Sequence, residues 1–259
     1  MSVAIKRALL PDGFGLNCSE ETSAALRMVG FYVDQVHLSD LFQNPDMLLG
    51  YHLLVLGGGF SFGDHLGSGL RLAQQYQCVM GSQLQRYVAD GGLIMGICNG
   101  FQVLLHLDLV GICDQAEELT PGREVSLTNN VTGRFVDRWV DLEVDSRSNC
   151  VFTTGLDTLS LPIRHGEGRI VFAEHAAKRF DTDGLVPLRY TSADNVNGSD
   201  YAAAALTNPS GRIFGLMPHP EAAIYPENHP DWRTHRLKGM STEGLHQGIA
   251  LFQNAYHAT

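Results

Sequence analysis

A cysteine between two glycines is the residue of this chain best suited to covalent chemistry. Cys98 stands at the centre of the segment GICNG, two positions from Gly96 and from Gly100, just after the apolar run 93–95. The pattern is the G-x-S-x-G nucleophile elbow with sulfur in place of oxygen, and its glycines allow a sharp turn from strand to helix. A helix N-terminus favours the reactive thiolate. The segment therefore predicts a cysteine nucleophile, although small residues around a cysteine are also compatible with simple packing.

A second candidate group follows another apolar strand, residues 212–217. This strand ends in the sequence PHPE, where two prolines fix a rigid turn and place His219 and Glu221 on the same side. A cysteine nucleophile needs a base within hydrogen-bond reach, and the base needs an acceptor that orients it. A lone histidine is commonly a packed or surface residue. Together with Cys98, however, these two residues supply the types of a Cys–His–Glu triad.

A glycine-rich loop, GGGFSFGD at residues 57–64, follows a third apolar strand. It matches neither G-x-G-x-x-G nor G-x-x-x-x-G-K-[ST], so a phosphate-binding loop is not indicated. Two interpretations stay open at this point. The glycines either form a tight turn, or they expose backbone N–H groups that stabilise developing negative charge.

The elements that must position these residues follow the pattern of an α/β protein. A strand at 3–10 is followed by a helix capped by Asn17 or Ser19 and then by strands at 31–36 and 51–56. This order is typical of a doubly wound, mostly parallel sheet with flanking helices. Sites in such sheets lie beyond the carboxyl ends of the strands, so the loop at 57–64 and Cys98 are expected to converge.

The second half of the chain is more mixed. Short, partly antiparallel strands are predicted within 125–151, which indicates a small antiparallel sheet extension. Residues 162–169 are predicted to be a compact polar turn, and residues 224–238 a surface loop. An amphipathic helix at 243–255 closes the chain. We see no repeat or linker, and we expect one domain over residues 1–259.

Composition excludes several classes of protein. The 259 residues are 44% hydrophobic and 18% charged, with a net charge of −10 and no Lys/Arg run, so nucleic-acid binding is not expected. No apolar run reaches the length of a membrane span, and the N-terminus does not resemble a signal peptide. The five cysteines contain no C-x-x-C pair, so neither a disulfide framework nor a metal site is suggested, and a cytoplasmic location is expected.

The motifs taken together resemble the class I glutamine amidotransferases, whose elbow has the form G-x-C-x-G-x-Q. Here that pattern runs from Gly96 to Gln102. Within the class, the resemblance is greatest to the members that supply ammonia for de novo purine synthesis. It covers nearly the whole chain and is carried by five further segments: 17–22, 58–64, 165–169, 197–199 and 215–221.

The resemblance implies a role for each candidate residue. Cys98 would be the nucleophile, His219 its base and Glu221 the residue that orients the base. The implied fold is flavodoxin-like, and no catalytic metal is implied.

The implied substrate is glutamine. Backbone N–H groups of Gly59, Phe60 and Asn99 would form the oxyanion hole, and Gln102 would help to hold the substrate. Ammonia would pass to a synthetase on another polypeptide, with or without a small accessory subunit. ATP and Mg²⁺ would belong to that synthetase, because no motif here is typical of ATP binding, and this chain would need no cofactor of its own.

The chain departs from the family pattern at a few positions. Phe62 and His65 stand where the family has tyrosines, and Ala222 stands where an arginine commonly follows the glutamate. The stretch 225–238 is longer than the corresponding stretch of the family. None of these departures touches the triad, but Ala222 and the extension leave the partner contacts open.

Three other functions remain compatible with the sequence. A cysteine esterase or peptidase of similar fold would share the triad but would not need Gln102 or a synthetase. An amidotransferase for another acceptor would differ in its loops. A non-catalytic binding subunit would tolerate loss of any triad residue, and here all three are present.

Overall fold

The computed structural model describes residues 5–110, 124–242 and 244–259. The start of the predicted first strand, Cys113 and Glu243 lie outside these residues. The described strands are β1 (Arg7–Asp12), β2 (Tyr32–His37), β3 (Leu53–Leu56), β4 (Leu93–Ile97), β5 (Val125–Asn129), β6 (Val136–Val144), β7 (Thr158–His165), β8 (Glu167–Phe172), β9 (Leu188–Tyr190), β10 (Ala205–Thr207) and β11 (Ile213–Leu216). The described helices are α1 (Ser19–Met28), α2 (Leu38–Gln43), α3 (Leu70–Ala89), α4 (Asn99–His106), α5 (Glu174–Thr182), α6 (Trp232–Leu237) and α7 (Gly248–Ala258).

The central sheet has six strands in the order β10-β11-β4-β3-β1-β2. All neighbours in it are parallel except β10 and β11, which are antiparallel. The chain moves outward from β1 to β2, then returns to β3 on the other side of β1 and continues to β4. The strand order therefore reverses between β1 and β3, the place where ligands bind in open α/β sheets. The predicted α/β class and mostly parallel sheet are confirmed.

Helices cover the sheet, which explains why its inner strands are apolar along their whole length. Every residue of β3 and of β4 is buried, as expected for parallel strands that are packed on both faces. Helix α4 lies against β3, β4 and β11 and contacts α3, whereas α1 and α7 contact each other. None of the described helices is both long and apolar enough to cross a bilayer.

Two smaller antiparallel sheets complete the described fold, with strand orders β7-β6-β9 and β5-β8. The prediction of a polar turn at 162–169 was wrong. Strand β7 continues to His165 and β8 begins at Glu167, so only Gly166 separates two strands that belong to different sheets. The backbone of β6 supplies hydrogen-bond partners through Val136–Glu143, and this long pairing extends β7 beyond what local sequence indicates.

Two further predictions on the second half need correction. The stretch 224–238 is not all loop, because it contains the short helix α6. The last helix begins at Gly248 rather than near residue 243, and it ends at Ala258.

The approach of α4 to β3 can be tested at Gly100. A Cβ added there would lie 1.9 Å from the carbonyl oxygen of Leu56, a backbone atom. We expect Gly100→Ala to lower the free energy of unfolding by about 1–3 kcal/mol and to displace Cys98. The matched control is Gly81→Ala in α3, where the nearest atom is 3.5 Å away, and which should stabilise the protein by about 0.5–1 kcal/mol. Denaturant unfolding measures both variants, and equal effects would contradict the contact.

Candidate active site

The nucleophile elbow has the geometry that its sequence predicts. Strand β4 ends at Ile97, helix α4 begins at Asn99, and Cys98 between them has φ +50° and ψ −103°. A non-glycine residue in this region costs about 1–3 kcal/mol of backbone strain. The surroundings hold it there, since the Cys98 N–H donates to the carbonyl oxygen of Leu216 at 2.8 Å. The thiol consequently stands at the N-terminus of a buried helix.

His219 and Glu221 follow β11, the neighbour of β4 in the sheet. The Nδ1 of His219 lies 2.5 Å from Oε1 of Glu221, and both residues are at least 98% buried. The N–H of His219 donates to the carbonyl oxygen of Pro162 in β7 at 2.8 Å, which ties the turn to the antiparallel sheet. Because Nδ1 of His219 is bonded to Glu221, Nε2 is the ring atom that can exchange a proton with Cys98.

The electrostatic surroundings favour a charged imidazole. Burial by itself lowers the pKa of His219, but the carboxylate of Glu221 and the sulfur of Cys98 act in the opposite direction and raise that pKa well above its usual value. Cys98 therefore interacts with the ring that Glu221 orients. Such an arrangement places a sulfur nucleophile beside an imidazole that can take up and give back a proton.

The three predicted oxyanion donors differ in availability. The N–H groups of Gly59 and Asn99 make no hydrogen bond within the described residues, whereas the N–H of Phe60 already donates to the carbonyl oxygen of Gly15 at 2.9 Å. The N–H of Phe60 is thus held in a bridge between two loop segments, and its role as an oxyanion donor stays a prediction, as do those of Gly59 and Asn99. Only glycine fits at position 59, where φ is +149° and an added Cβ would lie 2.6 Å from the Cα of Leu16.

The side chain of Gln102 is engaged within the protein. Its Oε1 accepts from Nδ2 of Asn99 at 2.9 Å, and its Nε2 donates to the carbonyl oxygen of Glu167 at 2.7 Å. The Oδ1 of Asn99 accepts from the N–H of Ser61 at 3.3 Å. Gln102 therefore ties the first turn of α4 to β8, and Asn99 ties the same turn to the glycine-rich loop, so that both sides of the site are held together.

The structure brings further residues to the site that the sequence did not assign. The Sγ of Cys98 lies 3.8 Å from the carbonyl oxygen of Arg164, and a second cysteine, Cys18, interacts with His219. Cys18 lies in the segment 17–22 that carries the family resemblance, and Arg164 lies directly before the segment 165–169. That resemblance was the available signal, but residue types alone gave no role to either.

His165 is a buried histidine held in the opposite state from His219. Its Nδ1 donates to Oδ1 of Asn130 at 3.0 Å, and its Nε2 is buried without a hydrogen-bond partner among the described residues. Burial, followed by repulsion from His219, lowers the pKa of His165 to about 4. The surroundings thus favour the neutral form of His165 and the charged form of His219.

Comparison with known proteins agrees with this geometry. The model of the CobB/CobQ-like glutamine amidotransferase domain matches residues 6–257. The chain belongs to this family. The prediction of a class I glutamine amidotransferase is confirmed, and the elbow, the His–Glu turn and the glycine-rich loop are the parts of the amidotransferase fold that converge here.

Individual relatives cover nearly all of this amidotransferase. The phosphoribosylformylglycinamidine synthase subunit PurQ of Dehalococcoides mccartyi is 36% identical over 93% of this chain and 92% of its own length. A solved structure of PurLQS from Thermotoga maritima matches with a TM-score of 0.72 and 32% identity over 98% of both chains. A glutamine amidotransferase from Thermotoga maritima, 15% identical with a TM-score of 0.57 and 98% coverage of both chains, shares the fold.

The neutral state of His165 makes the stability of the amidotransferase depend on pH. The unfolded chain protonates this residue near pH 6.5, whereas the folded chain resists protonation to about pH 4. The contribution of neutral His165 to the free energy of unfolding is therefore complete above pH 6.5. It is lost as the pH falls to about 4, and the total loss is about 3 kcal/mol. We expect His165→Gln to flatten the pH dependence of unfolding in this window. The exposed His175→Gln is the control, and an unchanged slope in His165→Gln would contradict the assignment.

The charge of His219 should depend on Glu221. Replacing the carboxylate by an amide in Glu221→Gln keeps a hydrogen-bond acceptor but removes the negative charge, so that burial dominates and the pKa of His219 falls. Nuclear magnetic resonance titration of the imidazole nitrogens measures this directly. Glu227→Gln, which changes an exposed carboxylate of the same segment, should leave the titration unchanged. A similar fall in both variants would show that Glu221 is not the specific partner.

Proposed function

We propose that this chain is the glutaminase subunit of phosphoribosylformylglycinamidine synthase. It hydrolyses glutamine and delivers ammonia to a synthetase subunit, which converts formylglycinamide ribonucleotide to formylglycinamidine ribonucleotide in purine biosynthesis. The observation that carries the chemistry is the strained Cys98 beside the buried His219–Glu221 pair. The acceptor is supported by the PurQ relatives, which match 82–98% of this chain.

In the first half of the reaction the Cys98 thiolate attacks the carboxamide carbon of glutamine. The carbonyl oxygen becomes an oxyanion, which the free N–H groups of Gly59 and Asn99 stabilise. The imidazolium of His219 then gives its proton to the amide nitrogen, the C–N bond breaks, and ammonia leaves. A γ-glutamyl thioester on Cys98 and a neutral His219 remain.

In the second half the neutral His219 accepts a proton from water. The resulting hydroxide attacks the thioester carbon, and the same two N–H groups stabilise the second oxyanion. The C–S bond breaks to release glutamate and to restore the thiolate–imidazolium pair. Glu221 keeps the ring oriented through both proton transfers, because its Oε1 holds Nδ1 throughout.

Gln102 acts here through the protein rather than through a free amide. Both ends of its side chain are bonded, so we propose that it shapes the substrate pocket by fixing Asn99 and the backbone of Glu167. The backbone around Arg164–Glu167 then forms one wall of the pocket beside the nucleophile.

Ammonia must reach a second active site before it is lost to solvent. We propose that the acceptor site, with ATP and Mg²⁺, lies on a synthetase subunit and that a small accessory subunit joins the complex, as the solved PurLQS assembly of the relative supports. We also propose that residues 1–259 form one amidotransferase domain, which the family match over residues 6–257 supports, and that the enzyme works in the cytoplasm.

The separation of ammonia release from ammonia use can be tested at Cys98. In the complex reconstituted with its synthetase, Cys98→Ala should abolish product formation from glutamine but retain product formation from added ammonia. The exposed Cys78→Ala controls for the loss of a thiol. Glutamine-dependent turnover at the wild-type rate would overturn the nucleophile. Glutaminase activity with no product from this synthetase would indicate another acceptor, and ester or peptide hydrolysis would indicate a stand-alone hydrolase.

A further inference from the structure

A second buried thiol, which the proposed mechanism does not use, lies beside the catalytic histidine. Cys18 precedes α1 and occupies its N-cap position without a side-chain capping bond, where the sequence had predicted Asn17 or Ser19. It is 6% exposed. Burial raises the pKa of the Cys18 thiol, while the nearby His219 opposes that shift. The Cys18 thiol therefore lies beside His219, although the two residues come from opposite ends of the sequence.

Three different ligand types meet at this point. One ligand atom each from Cys18, His219 and Glu221 lie within 4.8 Å of one another, and all three residues are buried. Gly58 confirms how closely the thiol and the ring approach. A Cβ added to Gly58 would lie 3.1 Å from the Sγ of Cys18 and 3.0 Å from Cε1 of His219. The three ligands therefore come from two segments that are far apart in sequence, and Gly58 of a third segment packs against both.

Two polar atoms of this cluster are buried without a partner. Nε2 of His219 and Oε2 of Glu221 make no hydrogen bond to any described residue. A buried polar atom without a partner costs about 1–3 kcal/mol. The proposed reaction uses Nε2 but gives no role to Oε2, so the carboxylate keeps a ligand atom that the reaction does not use.

We propose that Cys18, His219 and Glu221 form a binding site for a thiolate-preferring divalent cation of the zinc class, and that occupancy inhibits the enzyme. The cation would take the imidazole and the carboxylate away from proton transfer. Binding itself does not depend on the proposed function, whereas inhibition rests on it. This cation is not part of catalysis.

The donor set and its size fit such a cation. Sulfur, imidazole nitrogen and one carboxylate oxygen suit Zn²⁺, whereas Mg²⁺ and Ca²⁺ prefer oxygen ligands alone. Bond lengths of about 2.0–2.3 Å place ligand atoms of a tetrahedral site roughly 3.3–3.8 Å apart. The three ligand atoms now lie within 4.8 Å of one another, so side-chain shifts of about 1 Å would bring them to these separations.

Charge balance also favours a divalent ion. The Cys18 thiolate and the Glu221 carboxylate together cancel the two positive charges, so the buried complex is neutral, which limits the cost of burying ions. Binding releases the thiol proton and any proton on the coordinating nitrogen to solvent. The fourth coordination position is left for water, as in other zinc sites with three protein ligands.

Cobalt spectroscopy tests the site without any activity measurement. In Cys98→Ala the nucleophile is gone, so a sulfur-to-cobalt charge-transfer band on addition of Co²⁺ must come from another thiol. We expect the band in Cys98→Ala and in Cys98→Ala/Cys78→Ala, and its loss in Cys98→Ala/Cys18→Ala and Cys98→Ala/Cys18→Ser. Circular dichroism checks that each variant is folded. No band in Cys98→Ala, or a band that persists in both folded Cys18 variants, would overturn the site.

Inhibition tests the consequence for the enzyme. The assay measures glutamine hydrolysis in the reconstituted complex, and each variant is compared with its own uninhibited rate. Cys18→Ala and Cys18→Ser should raise the Zn²⁺ concentration for half-inhibition by roughly tenfold or more. Cys78→Ala should not change it. Equal sensitivity of all variants would show that zinc acts at Cys98 and His219 alone, and would overturn the role of Cys18.

Discussion

The close approach of helix α4 to the end of strand β3 is the constraint on which the site depends. The backbone of α4 passes so near the carbonyl of Leu56 that only a hydrogen fits at Gly100. This approach fixes where the helix begins and therefore where Cys98 must turn. The strained backbone of Cys98 is stable because the parallel strands on either side leave it no alternative, with Leu216 holding its N–H from the neighbouring strand. The position of the nucleophile is thus a result of core packing.

Electrostatics then divides the roles of two neighbouring buried histidines. Both lose solvation, which disfavours the charged form. His219 faces Glu221 and the sulfur of Cys98, and these outweigh burial. His165 faces a neutral amide, and repulsion from His219 adds to the effect of burial. The charged form of the imidazole is therefore favoured in one case and disfavoured in the other, because only His219 has a carboxylate within reach.

A chain of amide contacts joins the nucleophile to both of its neighbours. Asn99 accepts a hydrogen bond from Ser61 in the glycine-rich loop, and Gln102 donates one to the carbonyl oxygen of Glu167, the first residue of β8. Any movement of the loop that carries Gly59 is therefore transmitted to the first turn of α4. Cys18 reaches His219 from the segment that bridges this loop, so that Gly59, His219 and the second thiol are connected through the same piece of backbone.

The sequence by itself determined the features that depend on local geometry. The elbow around Cys98 and the turn that carries His219 and Glu221 were predictable, because glycine and proline restrict the backbone at the position where they stand. The mostly parallel sheet followed from the order of apolar strands and helices. The tertiary structure alone decided that the Phe60 N–H is occupied, that Gln102 is bonded at both ends, and that residues 162–169 lie in strands. It also decided that Cys18 meets His219, because each of these contacts joins segments that are distant in sequence and no local pattern records them.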